Sequence, residues 1–217
     1  MRTGRAMRLD AIVLAAGASS RFGGGKLLAP WGDSLLVDGA LATAFAAPVQ
    51  IVSVVWGADR RVPAVAEAFA ARVGATDRLR LVHAEHHAEG MATSLKAGVA
   101  SLDPSSEGAF VFLGDMPRIP AEVTGALAEA LGAGARASAP SFAGRRGHPV
   151  LFASALYPAL LGLSGDRGAA SILAGLGDGL VLVAAADDGV LFDVDQPADL
   201  PNAATAREGD QPGRKAD

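Results

Sequence analysis

The chain has 217 residues, a formal net charge of −4 and a hydrophobic fraction of 50%. It contains no cysteine, which excludes disulfides, thiolate metal sites and a cysteine nucleophile. The small negative charge argues against nucleic acid as the main partner. No stretch free of charge and proline reaches the roughly 20 apolar residues that a membrane span needs. We therefore expect a cytoplasmic, enzyme-sized protein that uses neither nucleic acid nor a membrane.

The first half of the chain alternates short apolar runs with longer amphipathic stretches. The short runs lack polar alternation, which is typical of strands buried on both faces. Predicted strands cover 11–16, 49–57, 79–84 and 109–115, and predicted helices cover 34–47, 62–74, 90–102 and Pro120 to about Leu131. This alternation favours an α/β fold, a mostly parallel sheet flanked by helices.

The second half of the chain is less regular. Two short strands, in 135–144 and 146–152, flank a Gly-Arg-Arg turn and indicate an antiparallel excursion. Predicted helices at 153–162 and 168–176 precede predicted strands at 180–185 and 189–195. Because no internal repeat or linker interrupts the pattern, we expect a single domain over 9–208, with a flexible N-terminus at 1–8 and a disordered tail at 209–217.

A glycine-rich loop from Gly17 to Lys26 follows the first predicted strand. It matches neither the P-loop spacing nor the dinucleotide-binding fingerprint. Glycines nevertheless let backbone N–H groups approach a triphosphate closely, and Arg21 and Lys26 supply charge for oxygens that become more negative during transfer. The loop is interpreted as a triphosphate-binding element. The alternative is an ordinary flexible loop with solvated cations.

Acidic residues follow two of the apolar runs. Asp115 ends the strand at 109–115, and Asp193 and Asp195 lie on one face of the predicted strand at 189–195. Ligands of open α/β sheets bind at the carboxyl ends of strands, and Mg²⁺ is held by one or two carboxylates plus substrate phosphates. These acids are therefore candidate metal ligands, although a turn or helix-cap role is the alternative for Asp115.

Three histidines, His83, His86 and His87, cluster in the segment "HAEHHAEG". A zinc site needs a fourth ligand, and the surrounding sequence offers none at a suitable spacing. We expect these histidines to border a base or acceptor pocket, or to be solvated.

Six motifs occur in order along the chain: "LAAGASSRFGGGKLL", "EGMATSLKAG", "GDMP", "GHPVLF", "GDRGA" and "DVDQPADL". In this arrangement the chain resembles the molybdenum cofactor nucleotidyltransferases, and among them the CTP:molybdopterin cytidylyltransferases. The guanylyl branch opens with LAGG, whereas this chain has LAAG at 14–17. The resemblance implies a Rossmann-like nucleotidyltransferase fold of the glycosyltransferase-A type that binds NTP with Mg²⁺ or Mn²⁺.

Roles for individual residues follow partly from the resemblance and partly, for Ser94, Arg146 and His148, from the chemistry of the residues themselves. The predicted catalytic residues are Arg21, Lys26 and Asp115, and the predicted metal ligands are Asp115 and Asp195. The residues predicted to contact the nucleotide are Leu14, Ala15, Ala16, Gly17, Arg21, Lys26, Ser94 and Asp115. The residues predicted to contact the acceptor are Arg146, His148 and Asp166. Asp193 competes with Asp195 as the second metal ligand. Ser94 and Asp166 have helix-capping alternatives, and His148, between Gly147 and Pro149, has a turn or packing alternative. Arg145 is a further cation beside the acceptor residues.

The reaction that the resemblance implies is transfer of CMP from CTP to the molybdopterin cofactor. A phosphate oxygen of the cofactor attacks the α-phosphorus and pyrophosphate leaves, so that positioning and charge neutralisation suffice. Two alternatives keep the enzyme class: guanylyl transfer to the same cofactor, and nucleotidyl transfer to a sugar or alditol phosphate. A third is a chaperone that carries the cofactor to an apo-molybdoenzyme. An apo-molybdoenzyme or its chaperone is also the candidate partner of the enzyme.

Overall fold

The computed structural model describes residues 7–165 and 168–201, and only the backbone of Arg21. Asp166, the predicted tail at 209–217 and most of the predicted flexible N-terminus at 1–8 therefore lie outside the described residues. Within the described ranges, no helix has the length and apolar character required to cross a membrane.

Ten strands and six α-helices are found in the described residues. The strands are β1 Leu9–Ala15, β2 Pro30–Trp31, β3 Ser34–Leu35, β4 Val52–Trp56, β5 Leu79–His83, β6 Gly108–Leu113, β7 Ala137–Phe142, β8 Arg145–Arg146, β9 Val150–Ala153 and β10 Leu180–Ala184. The helices are α1 Leu36–Ala46, α2 Val62–Arg72, α3 Met91–Ala100, α4 Val123–Gly132, α5 Tyr157–Leu161 and α6 Ala170–Ala174. The predicted helices at 153–162 and 168–176 thus contain shorter α-helices than expected.

The main sheet has the strand order β10-β7-β9-β6-β1-β4-β5, with β8 paired to β7 at its side. Strands β6, β1, β4 and β5 are parallel neighbours, as are β7 and β10. The predicted mostly parallel sheet is confirmed. The antiparallel element belongs to this sheet, because β9 runs antiparallel between β6 and β7.

Two apolar layers cover the two faces of the sheet, and β1 shows how its sequence divides between them. Ala11 and Val13 join the cluster formed with α1, α2 and α4, whereas Ile12 joins the cluster formed with α3, α5 and α6. Successive strand residues point to opposite faces, so a run that is apolar throughout is buried on both. Strand β1 therefore lies at the centre, and the loop after it emerges at the middle of the carboxyl edge.

The predicted strand at 189–195 is wrong. Residues Asp188–Leu191 form a 3₁₀ turn, and residues 192–196 are irregular. The Asp187 carboxylate accepts a hydrogen bond from Gly189 N at 2.8 Å, which starts the turn. Val190 and Val194 are each fully buried. The apolar residues of this segment are thus buried at two separate places without forming a strand, and Asp193 and Asp195 do not lie at the end of a strand.

Helix α1 approaches the turn after β6 at Gly39. A Cβ added there would lie 2.3 Å from the Pro117 carbonyl oxygen. We predict that Gly39→Ala lowers the free energy of unfolding by about 1–3 kcal/mol through overpacking. Gly125, which is exposed in α4 with no atom within 4 Å of an added Cβ, is the matched control. Gly125→Ala should instead stabilise by about 0.5–1 kcal/mol. Urea unfolding measures both, and equal stability of Gly39→Ala and the unmodified protein would contradict the close approach.

Candidate active site

The glycine-rich loop after β1 is an ordered backbone structure. Ser19, Gly23, Gly24 and Gly25 all have positive φ, between 52° and 94°. The Ser19 carbonyl accepts hydrogen bonds from Phe22 N at 2.9 Å and Gly24 N at 3.1 Å. Glycine adopts positive φ at little cost, so the glycine run is what lets the chain turn twice before Lys26. The role of the loop in binding a triphosphate stays a prediction.

Lys26 and Asp115 form an ion pair at the centre of the carboxyl edge. Lys26 Nζ donates a hydrogen bond to Asp115 Oδ2 at 2.7 Å, and the two side chains are 12% and 25% exposed. Lys26 begins the short turn after the glycines, and Asp115 follows β6. The strands β1 and β6 are adjacent, and Gly114 N donates to the Leu14 carbonyl at 2.9 Å. The pair therefore joins the ends of the two central strands.

A cavity of about 470 Å³ opens beside this ion pair. Its lining includes the predicted nucleotide residues Leu14, Ala15, Ala16, Gly17, Lys26, Ser94 and Asp115. Ser94 lies inside α3, whose N-cap is Gly90, so its helix-capping alternative is not supported. His87 and Met91 also line the cavity. We call it the nucleotide cavity.

A second cavity, of about 180 Å³, shares Leu14, Met91 and Leu113 with the first. The rest of its wall is largely apolar, with Arg146 and His148 as its polar residues. We call it the acceptor cavity. Asp166, the third predicted acceptor residue, lies outside the described residues.

Arg145 does not line the acceptor cavity. It faces a separate depression that includes Phe142 and Phe192. Arg145 and Arg146 are consecutive residues of β8, and consecutive strand side chains point in opposite directions. The structure therefore separates two arginines that the sequence had placed together.

His148 is held at the wall of the acceptor cavity. Its backbone N donates to the Val190 carbonyl at 2.9 Å, and its Nδ1 is buried without a hydrogen-bond partner. Burial lowers the pKa of the His148 imidazole, while the Val111 carbonyl and the Asp115 carboxylate oppose that shift. The ring is therefore neutral at neutral pH and offers no positive charge to an acceptor.

Asp193 and Asp195 reach the site by a different route from the one predicted. Val194 N donates to the Asp115 carbonyl at 3.1 Å, which fixes this segment beside Asp115. Burial, followed by the charges of Asp195 and Asp115, raises the pKa of the Asp193 carboxyl, and Lys26 opposes this. Asp193 therefore lies close enough to Asp195 and Asp115 to be affected by their charges, and carboxylate oxygens are ligands suited to a hard divalent cation.

The acidic residues in the described part of the chain do not by themselves form a complete metal site. Among the described residues, no three His, Asp or Glu side chains are close enough to hold a metal ion. Mg²⁺ keeps several waters and takes oxygens from substrate phosphates, so two carboxylates suffice once a nucleotide is bound. The donors present therefore fit a metal that enters with its nucleotide.

The three clustered histidines have separate surroundings. His83 stacks on Trp56 with ring centroids 4.2 Å apart, and His86 pairs with Glu89 at 3.0 Å. Only His87 lines the nucleotide cavity. The sequence suggested this border position for the segment but not which histidine occupies it, because the direction of each ring depends on contacts with other strands.

Sequence reasoning missed two further neighbours of the site, Met91 and Arg61. Met91 lies where the two cavities meet. Arg61 Nη2 pairs with Asp59 at 2.7 Å and packs over Gly25, where an added Cβ would lie 2.8 Å from it. Met91 lies within the motif "EGMATSLKAG", but its apolar side chain carries no chemical signal of its own. The contact between Arg61 and Gly25 joins segments distant in sequence, so no local pattern marks it.

The sequence of this chain matches a known protein family. The model of the MobA-like NTP transferase domain matches residues 11–188. The chain belongs to this family and is a nucleotidyltransferase, which confirms the predicted fold and enzyme class.

Individual relatives cover much of the chain. It is 28% identical over 145 residues to the molybdenum cofactor cytidylyltransferase of Escherichia coli (strain K12), covering 66% of this chain and 69% of that protein. It is 31% identical over 199 residues to the purine catabolism protein PucB of Bacillus subtilis (strain 168), covering 89% of this chain and 94% of that protein.

Solved structures show the same fold. Rv0371c from Mycobacterium tuberculosis H37Rv superposes with a TM-score of 0.74 at 26% identity, covering 90% of this chain and 96% of that one. A complex of Rv0371c with manganese superposes with a TM-score of 0.64 at 23% identity, covering 93% of this chain and 97% of that one.

The position of Lys26 predicts its contribution to turnover. Lys26→Ala should slow pyrophosphate release from NTP by about 10²–10³-fold, the loss expected for one electrostatic stabiliser of a transition state. Lys96→Ala is the control, because Lys96 lies on α3 and lines neither cavity. Unchanged turnover in a folded Lys26→Ala protein would remove Lys26 from the mechanism.

Proposed function

We propose that this protein transfers CMP from CTP to the molybdopterin cofactor and releases pyrophosphate. The observation that carries the proposal is the position of the Lys26–Asp115 pair, which lines the nucleotide cavity next to the acceptor cavity. A transfer reaction needs two substrates that meet at one phosphorus atom. Two cavities that share a wall at Leu14 and Leu113 meet this requirement.

The nucleotide phosphates lie along the glycine-rich loop in this proposal. Lys26 leaves Asp115 and neutralises phosphate oxygens, and Arg21 is assigned the same task by family resemblance. Asp115 and Asp195 would hold Mg²⁺ or Mn²⁺, with Asp193 as the alternative second ligand, and the bound metal would supply positive charge to the phosphates. The manganese complex of the structural relative Rv0371c is consistent with a divalent ion in this fold.

The acceptor occupies the second cavity. An oxygen of its terminal phosphate attacks the α-phosphorus in line, while the bond to the bridging oxygen breaks and pyrophosphate leaves. This chain needs no nucleophile of its own, and its contribution is to align the two phosphates and to neutralise their charge. Arg146 supplies a cation for the acceptor phosphate, and Asp166 is retained as an acceptor residue by resemblance.

The character of the acceptor cavity supports a pterin over a sugar or alditol phosphate. Its wall includes Leu95, Val111 and Phe152, with His148 and Arg146 as the polar groups. A polyol would leave most of its hydroxyl groups without hydrogen bonds against such a wall, which costs free energy. A flat heterocycle buries its faces there and needs few polar partners.

The choice of CTP rests on the name of the E. coli relative and on Ala16. Ala16 is buried in the nucleotide cavity, and its methyl narrows the space where the guanylyl branch has glycine. The decisive experiment incubates the protein with each NTP, Mg²⁺ and molybdopterin cofactor, measures pyrophosphate, and repeats the assay with EDTA.

CTP should exceed GTP by at least about tenfold in kcat/KM, the scale of a modest steric difference. Ala16→Gly should narrow this ratio by admitting GTP without improving CTP. Equal use of both nucleotides by the unmodified protein would favour guanylyl transfer, and cofactor binding without pyrophosphate release would favour a carrier role.

The two arginines of β8 provide a matched pair for the acceptor site. Arg146→Ala should raise KM for the cofactor by about tenfold, the loss of one charge-assisted contact, and leave KM for CTP unchanged. Arg145→Ala should change neither, because Arg145 faces the separate depression. Steady-state kinetics with each substrate varied in turn measures both. An equal effect of the two substitutions would show that general surface charge attracts the cofactor.

A further inference from the structure

His87 lines the nucleotide cavity, and two contacts hold its ring in place. Its Nδ1 lies 3.0 Å from the Ala84 carbonyl oxygen. The ring also packs directly on the backbone at Gly57, where an added Cβ would lie 2.6 Å from His87 Cγ and 2.9 Å from Nδ1. Only glycine leaves room for this contact, so the edge of the ring that carries Nδ1 faces Gly57 and Ala84.

This contact decides which ring nitrogen carries the proton. A carbonyl oxygen only accepts hydrogen bonds, so Nδ1 is the donor. In the neutral imidazole the other nitrogen, Nε2, is then an acceptor with a free lone pair. Nε2 has no hydrogen-bond partner in the part of the chain that the structure describes, and His87, a half-buried residue, belongs to the lining of the cavity.

The position of His87 matches that of a nucleotide base. Asp115 follows β6 and Gly57 follows β4, with β1 between them. Two strand spacings place His87 roughly 10 Å from the ion pair along the sheet edge. The phosphates belong at Lys26 and Asp115, so the ribose lies between and the base reaches the wall formed by His87.

We propose that His87 selects a base with an exocyclic amino group, cytosine over uracil, by accepting a hydrogen bond through Nε2. This inference rests on the proposed function only for the placement of the phosphates. Cytosine presents an N–H donor at the position where uracil presents a carbonyl oxygen. An oxygen facing the Nε2 lone pair sets two acceptors against each other and leaves both unpaired, which a partly desolvated site disfavours.

His87 and Ala16 therefore act on different properties of the base. Ala16 limits the size of the base, whereas His87 requires a hydrogen-bond donor on the base. Guanine also carries N–H donors, so His87 separates CTP from UTP and does not separate CTP from GTP.

The test measures dissociation constants of CTP and UTP, with Mn²⁺ present, for the unmodified protein and three variants. His87→Asn places an amide N–H where Nδ1 was, which keeps the bond to Ala84 and removes Nε2. His87→Gln extends an amide to the Nε2 position, where its oxygen accepts. His86→Asn is the control, because His86 is exposed and pairs with Glu89 outside the cavity.

The unmodified protein should bind CTP at least about tenfold more tightly than UTP. His87→Asn should reduce this preference to about threefold or less by weakening CTP, with an unchanged melting temperature. His87→Gln should restore part of it, and His86→Asn should match the unmodified protein. The inference is overturned if His87→Asn keeps the full preference, or if the unmodified protein binds both nucleotides equally or binds neither.

Pyrophosphate release, measured in parallel, separates this inference from the proposed function. A protein that prefers CTP through His87 but transfers no CMP to the cofactor would refute the transfer and support the role of His87. A protein that transfers CMP with a nucleotide preference independent of His87 would do the reverse.

Discussion

The ion pair between Lys26 and Asp115 connects the parts of this protein on which its site depends. The residues are 89 positions apart in sequence, and their side-chain atoms are 2.7 Å apart. Both are largely buried, and a buried charge without a partner is strongly unfavourable. The loop after β1 is therefore held against the turn after β6. In the proposed reaction, the nucleotide phosphates would take the place of Asp115 beside Lys26, and a divalent metal would take the place of Lys26 beside Asp115, so each charge would keep an opposite partner.

The sheet decides what can reach this pair. Parallel neighbours β6, β1 and β4 bring the loops that follow them to one edge. Strand β9 enters antiparallel between β6 and β7, which carries Arg146 and His148 to the same edge from the second half of the chain. Because β9 runs antiparallel to β6, the residues that precede β9 lie at the carboxyl edge of the parallel strands. The mixed direction of the sheet is thus the reason that two cavities share one wall.

Close contacts at glycine fix the surrounding segments. An added Cβ would meet Pro117 O at 2.3 Å from Gly39, His87 Cγ at 2.6 Å from Gly57, and Val190 O at 2.2 Å from Gly147. Each contact joins segments from different parts of the chain. Residues of any larger size would force these segments apart, because interiors are packed too densely to absorb an extra methyl. The direction of the His87 ring and the position of His148 both follow from such contacts.

The strand–helix alternation and the mostly parallel sheet could be inferred from the amino-acid sequence. So could the hypotheses for the glycine-rich loop and Asp115. These features are local: apolar runs buried on both faces, glycines with positive φ, and a carboxylate at a strand end. The same reasoning failed for 189–195, where a short, mostly apolar segment suggested a strand. It also grouped Arg145 with Arg146, and it left His83, His86 and His87 equivalent. These features depend on the tertiary structure. An apolar residue can be buried at many kinds of site and need not be in a strand, and the direction of a side chain depends on neighbours from distant segments.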